Sequence, residues 1–444
     1  MATTKRPPRP PRLLWTNWAA NQTCSPARID APSSEEELVQ IVREAAAQDQ
    51  RVKVVGSGHS FTAIALTDGR LITLDNYQQI VKTDAATGQV TVQAGIKLHR
   101  LNEELDRRGL AMPNLGDIDR QSISGAISTA THGTARELGG IARDVVGLRL
   151  IAGDGSIMDS SQTQNPEIFS AARVALGALG VISTVTLQCV PSFNLHAREV
   201  PSQVDDLLAN LDEHIASNDH FEFFWVTGTR WALAKFNNRT TEDGPRRSAL
   251  RQFRDDILFG NGSFAVVCWA GRIKPAWIPR VAKMMPNAVP ADYVDKSHNV
   301  FCSPRLIHFY EMEYAIPIEA AKEAFNRVRA YLAKSGLILS FPIEVRFGTG
   351  DDIPLSTAYG RRTCYIAVHV YQHTPYQQYF ESVEDIMDDY GGRPHWGKLH
   401  FQTSETLATR YAEWDTFQNA RRRLDPQGRF SNPYLDRVIG PIAR

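Results

Sequence analysis

The sequence holds little that would draw it to a charged polymer or a lipid surface. Forty-nine Lys and Arg residues balance forty-nine Asp and Glu, so no long-range field gathers nucleic acid or an anionic membrane. Neither is expected as a partner. Cysteine is sparse: Cys24, Cys189, Cys268, Cys302 and Cys364 are scattered without a CxxC spacing. That pattern argues against a disulfide framework or a zinc site and fits a reducing compartment; no metal is expected. No run approaches the ~20 apolar residues of a membrane span, and the N-terminus lacks the apolar core of a signal peptide. A cytoplasmic protein is expected. Repeats and low-complexity tracts are absent beyond a proline-rich start: Arg6 to Pro11 resembles a polyproline segment, and residues 1–14 are expected to form a disordered leader.

What is present is enough chain for two or three domains, 444 residues of it. DAPSSEEELVQIVREAAAQ carries a capping box at Ser34 and Glu37 and apolar residues at helical spacing. Short β-rich runs follow (VKVV, LITL, QVTVQAG), then a helix over Lys97 to Arg108 closed by Gly109 and a strand in VVGLRLIAGDG. This mixed region, residues 15–191, is the first expected domain. Beyond Pro191 the spacing predicts helices at Val204 to Ser217, after Pro317 and in QQYFESVEDIMDDYGG. Strands are predicted in FEFFWV, at Phe309 to Ile316, and in FPIEVRFG and CYIAVHVYQ. Strands outnumber crossover helices, which predicts an antiparallel sheet with helices on one face over residues 192–444. The expected fold class is α+β with two domains.

Three small-residue stretches in the first domain carry the chemistry. In VKVVGSGHSF, Gly56, Ser57 and Gly58 let successive backbone N–H groups turn inward as an anion nest. The spacing breaks the GxGxxG fingerprint, and a structural turn around a buried histidine remains an alternative. SISGAISTATHGT (Ser122 to Thr134) and GALGVISTVTL each could lay a flat ligand against backbone or serve close packing. Three in one domain favour a cofactor cradle.

GSGHSF, PNLGDID, SISGAISTATHGT and GALGVIS, in that order, resemble the FAD-binding domain of the vanillyl-alcohol oxidase superfamily. With FPIEVRF, GRPHWGK and LDPQGRFSNPYL, the chain is similar over about Trp15 to Val438 to the aldonolactone oxidoreductases. That resemblance implies FAD joined covalently to His59. It also implies that Gly56, Ser57, Gly58 and Ser60 hold the pyrophosphate, and that Val55, Gly116, Ser122, Gly125, Thr129, His132, Gly133 and Val181 line the rest. The C-terminal segment, about 393–444, would return toward the flavin.

The second domain would roof the flavin. In FPIEVRF, strand alternation places Glu344 and Arg346 on one face, a pair suited to holding a polyhydroxylated substrate and stabilising a developing alkoxide; a plain salt-bridged face is the alternative. His395 and Lys398 sit three apart in GRPHWGK, and His369 shares a strand face with Ala367. The reaction implied is hydride transfer from C2 of an aldono-1,4-lactone to the flavin, giving a 2-keto-lactone that enolises to ascorbate or an analogue. His395, His369, Lys398 and solvent stay open as the base. Gly116 stands where the plant galactonolactone dehydrogenase has an oxygen-blocking alanine, which favours O2 over an artificial or protein electron acceptor. Asp117 stands where alditol oxidase has serine, which favours a lactone over open-chain polyols. Arg247, Arg251, Arg254, Asp255 and Asp256 argue against a membrane anchor in the second domain.

Overall fold

The computed structural model describes residues 13–242, 244, 290–303 and 305–442. The leader up to residue 12, Cys268 and the charged segment from Arg247 to Asp256 lie outside them.

The first half is built on two sheets. Strands Arg28–Asp30, Val52–Val55 and Arg70–Thr73 form a parallel sheet with Arg70–Thr73 at its centre. Strands Ile80–Asp84, Gln89–Gln93, Val145–Ile151, Ile157–Ser161 and Val181–Gln188 form an antiparallel one. The helix Glu35–Ala47 buries Leu38, Ile41, Val42 and Ala45 against this core. Its capping differs from the reciprocal box: Ser34 Oγ accepts from Glu37 N–H, but the Glu37 carboxylate reaches one residue further back, to Ser33 N–H and Oγ. The chain's end joins the same core, with Leu407, Phe417, Leu424, Tyr434 and Val438 buried there. Asn432 ties it down by donating to the carbonyls of Ala63, Ile64 and Leu66.

The second half is one eight-stranded antiparallel sheet. In spatial order its strands are Ala291–Lys296, Asn194–Gln203, Trp231–Thr240, His220–Trp225, Ile343–Gly348, Thr363–Tyr371, Phe309–Pro317 and Arg393–Pro394. Alternation splits its central strands cleanly. Phe221, Phe223, Met312, Tyr314, Ile343, Val345, Ile366 and Val368 face the helices Ala321–Ser335 and Gln377–Asp388 in a second apolar core. Glu222, Glu311, Glu313, Glu344, Arg346 and His369 are buried on the opposite side. The helix expected over Val204 to Ser217 is two, Val204–Ala209 and Leu211–Ser217, broken at Asn210. Gly336 ends the helix before it at φ 69°, the left-handed conformation that glycine adopts without strain.

Candidate active site

Two adjoining cavities lie between the sheets. The narrower, about 110 Å³, is walled by Val55 to Ser60, Ser122, Gly125, Thr129 and Lys53. The wider, about 410 Å³, is roofed by the charged face of the long sheet. His59, Ser60, Gln121 and Thr129 line both.

The narrow cavity fits an elongated phosphate-bearing group. None of the backbone N–H groups of Ser57, Gly58, His59 and Ser60 donates to an acceptor among the described residues, which leaves a row of donors for an anion. The Ser57 hydroxyl is already spent on the Arg120 carbonyl. Gly58 adopts φ 70°. Gly56 allows close approach, since a Cβ there would stand 2.3 Å from Ser122 Oγ. His59 stacks beside Trp18, ring centroids 5.2 Å apart. Burial, helped by Lys97 and Arg120, pushes its pKa down to about 4, so its imidazole is neutral and keeps a free nitrogen lone pair at neutral pH.

Two of the residues expected at the cofactor are not among those lining either cavity. Val181 is wholly buried in the first apolar core, and its neighbours Gly180 and Ile182 line the narrow cavity instead. Gly133 permits backbone packing: a Cβ there would lie 2.0 Å from the Leu115 carbonyl. Gly116 lines the wide cavity; a methyl group on it would press on the His132 carbonyl at 3.1 Å and on Thr131.

The roof gathers the expected residues and several that were not expected. Arg346 is the hub. Its Nε donates to Glu222 at 2.8 Å, and Nη2 meets both Asp117 and Glu344. Asp117 in turn pairs with Arg305. Burial favours the neutral acid at Asp117, yet Arg346 and Arg305 hold it well below the usual carboxylate range. Glu344 goes the other way: burial pushes it up to about 8, with Asp117 and Glu222 reinforcing the shift against Arg346.

A second cluster surrounds Lys398. Its Nζ donates to Glu311 at 2.5 Å and Glu313 at 2.7 Å. Burial opposes both glutamates' charge, but Lys398, with His369, holds Glu311 down to about 2 and, with His132, holds Glu313 well below its ordinary value. His132 lies with Nε2 2.6 Å from Glu313 and Nδ1 3.0 Å from the Gly133 carbonyl, and its ring stacks on Tyr365. His369 spans the Pro342 carbonyl at 3.1 Å and Glu311 at 3.2 Å. His395 accepts the Gly397 N–H at Nδ1, and burial beside Lys398 pushes it down to about 3. His132, Glu313 and His395, and likewise Glu311, Glu344 and His369, approach closely enough to share an ion; Lys398 already supplies the positive charge there. Glu311 and Glu313 had a readable signal, since FYEMEYA alternates two acids on one strand face, and so had Glu222 as the acid in FEFFWV.

Residues 185–438 match the family model described as D-arabinono-1,4-lactone oxidase, and residues 26–161 match an FAD binding domain. The chain is 46% identical over 429 residues to the L-gulono-1,4-lactone dehydrogenase of Mycobacterium tuberculosis, covering 96% of this chain and 99% of the relative. It belongs to the aldonolactone oxidoreductases. Another of these enzymes, the L-gulonolactone oxidase of Bos taurus, is 36% identical, covering 96% of this chain and 98% of the relative. The aldonolactone oxidoreductase fold seen here is shared with cholesterol oxidase from Brevibacterium sterolicum, at TM-score 0.80 and 18% identity over 99% of this chain and 100% of that one. It is an FAD-binding domain joined to a C-terminal antiparallel-sheet domain. No helix among the described residues is long and apolar enough to cross a membrane.

Proposed function

We propose that this protein oxidises the C2 hydroxyl of an aldono-1,4-lactone to the ketone, using FAD held across the two cavities. The observation that carries the reading is the Glu344–Arg346 pair lining the wide cavity, which adjoins the glycine-walled cleft through shared lining residues. Bound FAD supplies the acceptor for the hydride leaving C2, and O2 or another electron acceptor then removes the two electrons. The backbone donors of Ser57 to Ser60 would hold the pyrophosphate, and the neutral His59 would form the covalent bond. If it does, acid-precipitated protein keeps its yellow colour in the pellet, and His59→Ala releases it to the supernatant.

The chain's own groups position the substrate and move the proton. Arg346, fixed by three carboxylates, directs N–H groups at the C2 oxygen and stabilises charge as it develops. Lys398 is held charged beside the same space. Glu344 exchanges its proton close to neutral pH and is the group to accept the hydroxyl proton, ahead of the strongly depressed His395. A base must be deprotonated to act, so kcat/KM is expected to rise about tenfold per pH unit below about 8 and level off above it; Glu344→Gln removes that limb. The ring-closed product would enolise to ascorbate or its five-carbon analogue. Steady-state assays with an added electron acceptor test the substrate class. Turnover of L-gulono- or D-arabinono-1,4-lactone but not of xylitol or sorbitol is expected, and the reverse pattern overturns the reading.

A further inference from the structure

The charged roof does not end at Arg346. Glu199, Lys235, Glu222 and Arg346 face one another in register on four neighbouring strands, Glu199 opposite Lys235, Lys235 opposite Glu222, and Glu222 opposite Arg346. The row alternates in sign. It runs from the buried hub, where the Arg346 side chain is 7% exposed, to the cavity mouth, where Lys235 is 23% and Glu199 29% exposed.

Along this row one member is left without a hydrogen-bond partner among the described residues. Arg346 is held through Nε and Nη2, but the Lys235 ammonium stands 3.8 Å from Glu199 and 3.9 Å from Glu222, beyond hydrogen-bond reach. It donates no hydrogen bond to any acceptor among the described residues, and its charge lies over the Phe224 ring, 5.1 Å from the centroid. Lys235, Glu199 and Phe224 all line the wide cavity. A hydroxyl group placed between Lys235 and either carboxylate would accept from the ammonium and donate to the oxygen, filling a gap between these described side chains.

We infer that Lys235 and Glu199 form a subsite for the exocyclic diol arm of a six-carbon 1,4-lactone, selecting it over a five-carbon lactone. This rests on the function proposed above and adds the chain length of its substrate. Lys235 stands two strands from Arg346, about 10 Å at the usual strand spacing. With the C2 hydroxyl at Arg346, a two-carbon arm extends along the row toward Lys235. The single hydroxymethyl group of a five-carbon lactone stops short. A site built to pair a hydroxyl discriminates against the analogue lacking it, because its own polar groups are then left unpaired.

The test is the ratio of kcat/KM for L-gulono-1,4-lactone to that for D-arabinono-1,4-lactone, measured on the flavin-loaded protein. Lys235→Met keeps the aliphatic stem over Phe224 and is expected to lower the ratio about tenfold or more. Lys235→Arg is expected to restore most of it. Glu199→Gln, at the more exposed end of the row, provides the same reading should the lysine variant fail to retain flavin, with a smaller drop in the same direction. A ratio unchanged in both, or shifted toward the six-carbon lactone, overturns the subsite while leaving the proposed reaction standing. A wild-type protein that oxidises neither lactone removes the proposed reaction and the subsite with it.

Discussion

Arg346→Lys is expected to lower kcat/KM for the lactone by about 10²- to 10³-fold, the range seen when one preorganised donor to a developing oxyanion is removed. The reason is geometric. The guanidinium of Arg346 meets Asp117, Glu222 and Glu344 at once, and a planar fork can do this while still presenting N–H groups to the cavity. An ammonium is a point charge on a flexible stem. Its three N–H groups would all be needed for the three carboxylates, so presenting one to the cavity leaves a carboxylate charged and buried or protonated. The loss should fall mainly on kcat, since the interaction is strongest as charge develops. Steady-state kinetics on flavin-loaded variant protein checks it, and a change confined to KM would contradict the role.

Lys398→Met should be the most destabilising single change in the site. The lysine is the shared partner of Glu311 and Glu313, both fully buried in the roof, and breaking a buried pair by removing one partner costs about 3–5 kcal/mol. Two neighbouring carboxylates without their cation cannot both stay ionised, so one pKa rises from its depressed native value to above that of the unfolded chain. The sign follows. A raised native pKa favours the folded variant once the pH drops through it, so the stability gap between variant and wild type should be widest near pH 8 and should narrow toward pH 5. Urea midpoints at the two pH values measure this. A gap independent of pH would mean that packing, not charge, sets the cost. Loss of the ammonium also removes a fixed positive charge lining the wide cavity, so activity should fall even at the pH where folding recovers.

The roof shows where local pattern is enough and where it is not. FPIEVRF reports its geometry directly, because a period of two puts Glu344 and Arg346 on one face whatever the rest of the chain does. The same test on FYEMEYAIP and FEFFWV exposes Glu311, Glu313 and Glu222, whose apolar neighbours fill the second core. The partners of Arg346 and Lys398 are another matter. Asp117 and Arg346 are 229 residues apart, and Asp117 and Arg305 188; no local propensity encodes such a meeting. The break at Asn210 is equally illegible, since the apolar spacing of Val204, Leu207, Leu211 and Ile215 runs straight through it. Gly133 has a packing role that its sequence context does not specify. A glycine in a small-residue stretch signals close approach of something, and here that is the Leu115 carbonyl. The covalent role proposed for His59 rests on resemblance, and what the fold adds is a half-buried, neutral imidazole at the junction of the two cavities.

The most direct measurement is the visible spectrum of the purified flavoprotein, kept free of oxygen, before and after one equivalent of L-gulono-1,4-lactone. Bleaching of the flavin band, with one 2-keto-lactone formed per flavin and no bleaching in Arg346→Lys on the same timescale, is the expected result. A spectrum unchanged by both L-gulono- and D-arabinono-1,4-lactone would contradict the account at its centre.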